Sequence, residues 1–203
     1  MLSPLARTAR SNVESIVRVA LELPRDRQAF LLFDRESQLA TILSDSYLAA
    51  LPGAQAIEFE EASRDEILRR AFSLSAGELV VLVESSRFPL AAHRFRVELF
   101  ERGLKVIEHP HLARIQDGEI GAYVDSLAYD ASYYRTLGPS LKSRIDRAAN
   151  VTLEGNAGDL VYRGPLEEAK LNIGDYAGQS NVGGQFPIGE VFTEARDLTA
   201  VSG

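Results

Sequence analysis

Cysteine is absent from all 203 residues. Its absence excludes disulfides, zinc ribbons and every thiolate nucleophile, and fits a reducing compartment. An excess of positive charge is missing as well. Lysine and arginine number 22 against 29 aspartates and glutamates, which leaves a formal charge of −7 and an isoelectric point near 5.1. Nucleic acid or an anionic membrane would have to be bound against net repulsion, so neither is an expected partner. No apolar run approaches the roughly 18 residues that a membrane-spanning helix needs, and the N-terminus lacks the apolar core of a secretory signal. The cytoplasm is therefore the expected address. The sequence also lacks a GxGxxG after a strand, a P-loop, an HExxH and a GxSxG elbow.

What is present is the composition of an ordinary globular protein, 45% apolar and 25% charged. Its length suits one large domain, or one domain and a small second unit. Ser11-Asn12-Val13-Glu14 has capping-box spacing before Val13, Ile16, Val17 and Ala20, which predicts an opening amphipathic helix. Ala29 to Phe33, Ala56 to Phe59, Leu79 to Val83 and Leu104 to Ile107 read as strands. Helical patterns follow the first three: one around Leu39 to Tyr47, one behind the Ser63-to-Glu66 capping box, and one from Ala91 to Arg102 that ends at Gly103. This alternation predicts an α/β fold, an open and mostly parallel Rossmann-like sheet with helices on both faces, over residues 1–149. Two more helices are expected over Ile120 to Tyr134 and Leu137 to Ala148, the second with an exposed basic side. Short β-like runs separated by glycine then mark residues 150–203 as the start of a β-rich second domain.

Candidate chemistry is sparse. The loop Asp34-Arg35-Glu36-Ser37 after the first strand carries two acids and no glycine, which argues against a phosphate cradle. The Gly174 to Gly184 stretch runs on to Pro187 and suits a loop or hairpin. Ser85-Ser86 has no base near it in sequence, and the tyrosines at 123, 129, 133 and 134 read as a packed helical face. His93 reads as a surface or packing residue. His109 and His111 share an HxH spacing that can bind zinc, but Pro110 between them and the shortage of further ligands favour a plain connection into the next helix. Glu190 sits in Phe186-Pro187-Ile188-Gly189-Glu190-Val191-Phe192-Thr193. There a proline and a glycine between large apolar residues present one carboxylate at a defined position, either as a metal ligand or catalytic group or as a turn residue facing water.

Gly158-Asp159-Leu160, together with Gly183-Gly184-Gln185 and the motif just quoted, resembles the thermophilic, leucyl aminopeptidase-type metalloaminopeptidase family that includes aminopeptidases S and T. The resemblance implies an N-terminal α/β domain, a β-rich domain bearing the site, a peptide substrate and a homodimer. It also implies that Glu190 is the first ligand of a two-metal centre, bridging zinc or cobalt ions that hold an activated water. Two departures stand out. Glu194-Ala195-Arg196 replaces the proline that commonly closes the family motif. The family's other ligands, a second Glu, two His and an Asp, together with a Tyr, lie downstream of the motif, and nothing up to Gly203 supplies them. The expectation is the N-terminal part of a metal-dependent hydrolase, inactive as the isolated chain. Two alternatives stand beside it: a non-catalytic interaction or assembly protein on the same scaffold, or a relative of the iron-dependent, ring-opening dihydroxypyridine dioxygenases.

Overall fold

In a computed structural model, residues 2–90 and 95–202 are described; His93 and the expected start of the helix at Ala91 lie outside them. The chain divides into two compact units that interleave in sequence. One comprises residues 1–129 and 176–188, the other residues 130–175 and 189–203, whereas the sequence reading places a single boundary at 149/150.

The first unit is built on a five-stranded parallel sheet. Its strands are β1 (Ala29–Phe33), β2 (Gln55–Glu58), β3 (Leu79–Val83), β4 (Lys105–His109) and, from the glycine-rich stretch, β8 (Val182–Gln185). They lie in the order β2-β1-β3-β4-β8. The expected loop or hairpin around Gly183 is thus corrected. Val182 to Gln185 pairs with Lys105 to Glu108, and its alternating buried and exposed residues form an edge strand. β1, β3 and β4 are buried along their whole length because both faces of the sheet are covered. Leu31, Phe33, Val81, Val83 and Ile107 contribute to a core shared with the helices α1 (Pro4–Ser15), α2 (Gln38–Ala50) and α5 (Ile120–Ser126). Their alternates Phe30, Leu32, Val80, Leu82 and Val106 enter a second core with α3 (Arg64–Ala71) and α4 (Phe95–Glu101). Each fully buried Leu or Phe in these layers contributes about 1.5–3 kcal/mol by removal from water.

Helix starts follow their caps. Ser37 and Ser63 cap α2 and α3 by accepting from the amides of Ala40 and Glu66. The first helix begins earlier than the capping-box spacing at Ser11 suggests. Ser3 caps it, accepting from the Ala6 amide at 3.2 Å, and Pro4 fits the first turn, where no amide hydrogen is needed. Asn12 instead reaches across to the Val124 carbonyl at 2.8 Å.

The second unit holds α6 (Ala131–Asp146) and two small antiparallel sheets. One orders β10 (Val201–Ser202), β6 (Leu160–Tyr162) and β5 (Val151–Leu153); the other pairs β7 (Lys170–Asn172) with β9 (Glu190–Phe192). The expected division at Leu137 is corrected to Asp130, whose carboxylate caps α6 by accepting from the Tyr133 amide at 2.9 Å. Pro139 lies inside this helix. Gly138 faces Ile173 so closely that a Cβ there would stand 2.9 Å from two of its methyl carbons. Lys142 pairs with Asp146 within the helix and ties the helix to the following loop through Glu168, both at 2.8 Å.

Candidate functional site

Open parallel sheets bind ligands beyond the carboxyl ends of their strands, at the point where the strand order reverses. Here that point lies between β1 and β3, and its polar groups satisfy one another. Asp34 accepts from the Glu36 amide at 3.1 Å and from the Ser85 amide at 2.7 Å. The Ser85 hydroxyl donates to the Ser37 hydroxyl at 2.9 Å and accepts from the Ser37 amide at 3.0 Å. Ser85 has a capping serine beside it rather than a base, so the pair serves as a clasp between two strand ends.

His109 belongs to β4 itself rather than to the connection after it, and it is fully buried. Tyr47 meets its Nε2 at 2.8 Å and Tyr123 meets its Nδ1 at 3.0 Å. The Tyr123 hydroxyl donates its single proton to the Phe186 carbonyl at 3.1 Å, so it must accept from Nδ1–H. This fixes one tautomer: Nε2 accepts from the Tyr47 hydroxyl, and one directional chain runs from Tyr47 to Phe186. Burial holds His109 neutral, its pKa pushed down to about 3, and raises both tyrosines. With both ring nitrogens engaged, His109 is unavailable to a metal. His111 occupies a left-handed turn with φ 59° and is not fully buried. The HxH pair therefore does not form a ligand set. The expected tyrosine face is likewise divided: Tyr123 serves His109, while Tyr133 is exposed and meets Tyr134 edge-on at 5.4 Å.

A cleft of about 210 Å³ opens at the carboxyl ends of β3, β4 and β8, lined by Glu84, Arg87, Arg96, Glu108, His111 and Gln185 among others. Its walls are strand ends held by main-chain bonds. The Glu84 amide donates to the His109 carbonyl at 3.0 Å, the Leu112 amide to the Glu84 carbonyl at 2.9 Å, and the Phe186 amide to the Glu108 carbonyl at 2.9 Å. Arg96 is ion-paired to Glu108. Glu84, only 6% exposed, accepts from the Phe88 amide at 3.1 Å. Burial raises its pKa to about 7 against the opposing Phe88 hydrogen bond, with further upward pushes from Glu108 and Asp34 and a downward one from Arg87. Sequence reading passed over Glu84. The available signal was an acid placed directly after Leu79 to Val83, a strand apolar on both faces.

Glu190 opens β9 in the second unit and is exposed. The preceding Gly189 has φ 124°, and its amide donates to the Asn172 carbonyl at 2.8 Å, so the carboxylate leaves a fixed backbone. Its contact is a long one, the Asn172 amide at 3.5 Å, and no cation pairs with it among the described residues. Among those residues no group of three or more His, Asp or Glu side chains could hold a metal ion. A depression of this unit, about 490 Å³, is lined by Glu167, Glu168, Lys170 and Glu194 among others, and Glu190 is not among its described lining residues.

No protein-family model and no curated protein matches the chain. Solved structures do match it. A 2,5-dihydroxypyridine dioxygenase from Pseudomonas putida KT2440 aligns with a TM-score of 0.65 at 11% identity, over 100% of this chain and 59% of that one. Wild-type AmpT from Thermus thermophilus aligns with a TM-score of 0.45 at 14% identity, over 93% of this chain and 62% of that one. The chain thus spans about three-fifths of the length of each. It is an α/β protein with a mostly parallel Rossmann-like sheet and small antiparallel sheets, and it shares the fold of the dioxygenase over its whole length. No helix among the described residues is long and apolar enough to cross a membrane.

Proposed function

We propose that this chain is the scaffold-bearing portion of a metal-dependent enzyme of the aminopeptidase kind, and that Glu190 is the carboxylate it contributes to the metal site. The observation that carries this reading is the presentation of Glu190, an acid without a cation partner among the described residues on a backbone fixed by β7–β9 pairing and by Gly189. It stands in the most specific of the stretches that resemble the metalloaminopeptidase family. The described residues alone do not fit a metal centre, so zinc or cobalt at Glu190 requires further ligands from outside them, either elsewhere in the natural product or on another chain. No reaction step is assigned to residues of this chain.

The test uses the complete natural gene product. Glu190→Gln is expected to lower both bound divalent metal and cleavage of leucine p-nitroanilide by roughly 100-fold or more, since loss of even an outer-sphere partner of a metal ligand costs about 10–100-fold. Unchanged metal content and activity overturn the assignment. A second reading, ring-opening dioxygenation with iron, is favoured by the likeness to the dioxygenase over the full length of this chain. Oxygen uptake with 2,5-dihydroxypyridine and ferrous iron, in the absence of peptide cleavage, would select it.

A further inference from the structure

The cleft at the carboxyl ends of β3, β4 and β8 belongs to neither reading of Glu190. Its side chains come from four separate stretches of chain, and its volume of about 210 Å³ admits a small acid. Two cations among the described residues line it, and they are not equivalent. Arg96 is neutralised by Glu108, while Arg87 is exposed and has no ion-pair partner among the described residues. In the same cleft, the Glu84 carboxyl is held by a single amide hydrogen bond, which engages Oε1 and leaves Oε2 without a partner among the described residues.

We propose that this cleft binds a small oxyanion, with Arg87 supplying the unbalanced charge and the Glu84 carboxyl supplying a hydrogen bond to it. An ionised Glu84 would cancel the charge of Arg87 and repel the ligand, so occupancy depends on the proton at Glu84. The charged groups that influence Glu84 are Glu108, Arg87 and Asp34. Asp34 is held by two backbone amides, and Glu108 by Arg96. Burial raises the Glu84 pKa to about 7, and His111 lines the same cleft. If only the protonated form binds, apparent affinity should fall about tenfold between pH 6 and pH 8, in proportion to the competent fraction.

The experiment is a titration of the 203-residue chain with sodium acetate, followed by amide chemical shifts at pH 6 and pH 8, with inorganic phosphate at pH 6 as a separate arm. Saturable shifts at Glu84, Arg87 and His111 with acetate, with phosphate or with both are the expected result, and the arms distinguish a planar from a tetrahedral ligand. Arg87→Met, at an exposed position, should weaken binding at least tenfold at pH 6. Glu84→Gln keeps a neutral donor and should hold the acetate affinity level from pH 6 to pH 8. Absence of saturable shifts with either anion overturns the proposal. So does binding indifferent to Arg87→Met, and a pH dependence that survives in Glu84→Gln would assign the proton to another group.

Discussion

Replacing Glu84 by Gln tests the buried carboxyl through stability alone. Its ordinary value is 4.5 and its folded value about 7, so between those pH values the folded chain holds a proton that the unfolded chain has released. Stability must therefore fall as pH rises from 4.5 to 7 and level off above, because the unfolded state binds fewer protons in that window. At about 1.4 kcal/mol per unit the full loss is roughly 3 kcal/mol. His109 works in the opposite sense. Its folded value of about 3 lies below the ordinary 6.5, so the unfolded state binds the extra proton and stability rises with pH between the two. From pH 4.5 to 6.5 the two slopes oppose each other, and these two groups together leave the wild-type profile nearly flat. Urea unfolding of wild type and Glu84→Gln at half-unit steps from pH 4.5 to 8 isolates the first. Gln can still accept from the Phe88 amide, so the variant should gain on wild type by about 1.4 kcal/mol per pH unit up to pH 7 and then hold steady. A stability difference independent of pH would refute both the burial argument and the raised value.

Tyr123→Phe removes the middle of the buried chain and leaves the His109 Nδ1–H without an acceptor. Such an orphaned buried donor costs about 1–3 kcal/mol, measured as a drop in the urea midpoint at unchanged slope. A cost near zero would mean that water or another group replaces the hydroxyl. Gly138→Ala places a methyl 2.9 Å from Ile173 and should destabilise by about 1–3 kcal/mol through overpacking, although alanine is the better helix former. Pairing it with Ile173→Val should recover part of the loss in thermal unfolding, and a stabilised single variant would show that the contact yields freely.

The strands β1 and β3 were legible because each is a five-residue apolar run, a pattern that only burial on both faces tolerates. The Ser63-to-Glu66 capping box marked the start of α3 to the residue, whereas α2 was read from its apolar pattern and its Ser37 cap emerges in the structure. The first helix was misplaced by a capping-box spacing at Ser11 that lies inside a helix, where Ser3-Pro4 offered the stronger start. Glu190 could be singled out from the rigid turn before it, a local property of Pro187 and Gly189, whereas Glu84 could not. Its place directly after an apolar strand is its one local mark, and its altered proton affinity arises only when tertiary packing buries it, with Glu108 and Asp34 adding to the rise against the Phe88 amide and Arg87.

The two histidines show the division most directly. Their HxH spacing allows zinc but with Pro110 favours a plain connection, and neither reading foresees that Tyr47 and Tyr123, 62 and 14 residues away from His109, meet its ring through the packing of α2 and α5 against β4. By itself the sequence determined the βα alternation, the acidic and cysteine-free character and the local caps, because these depend on neighbours within a few residues. Tertiary structure decided that Val182 to Gln185 joins the parallel sheet, that His109 is locked and neutral, and that Glu84 faces a cleft. Each of those outcomes depends on groups far apart in the chain, whose meeting is fixed by long-range packing rather than by any local pattern.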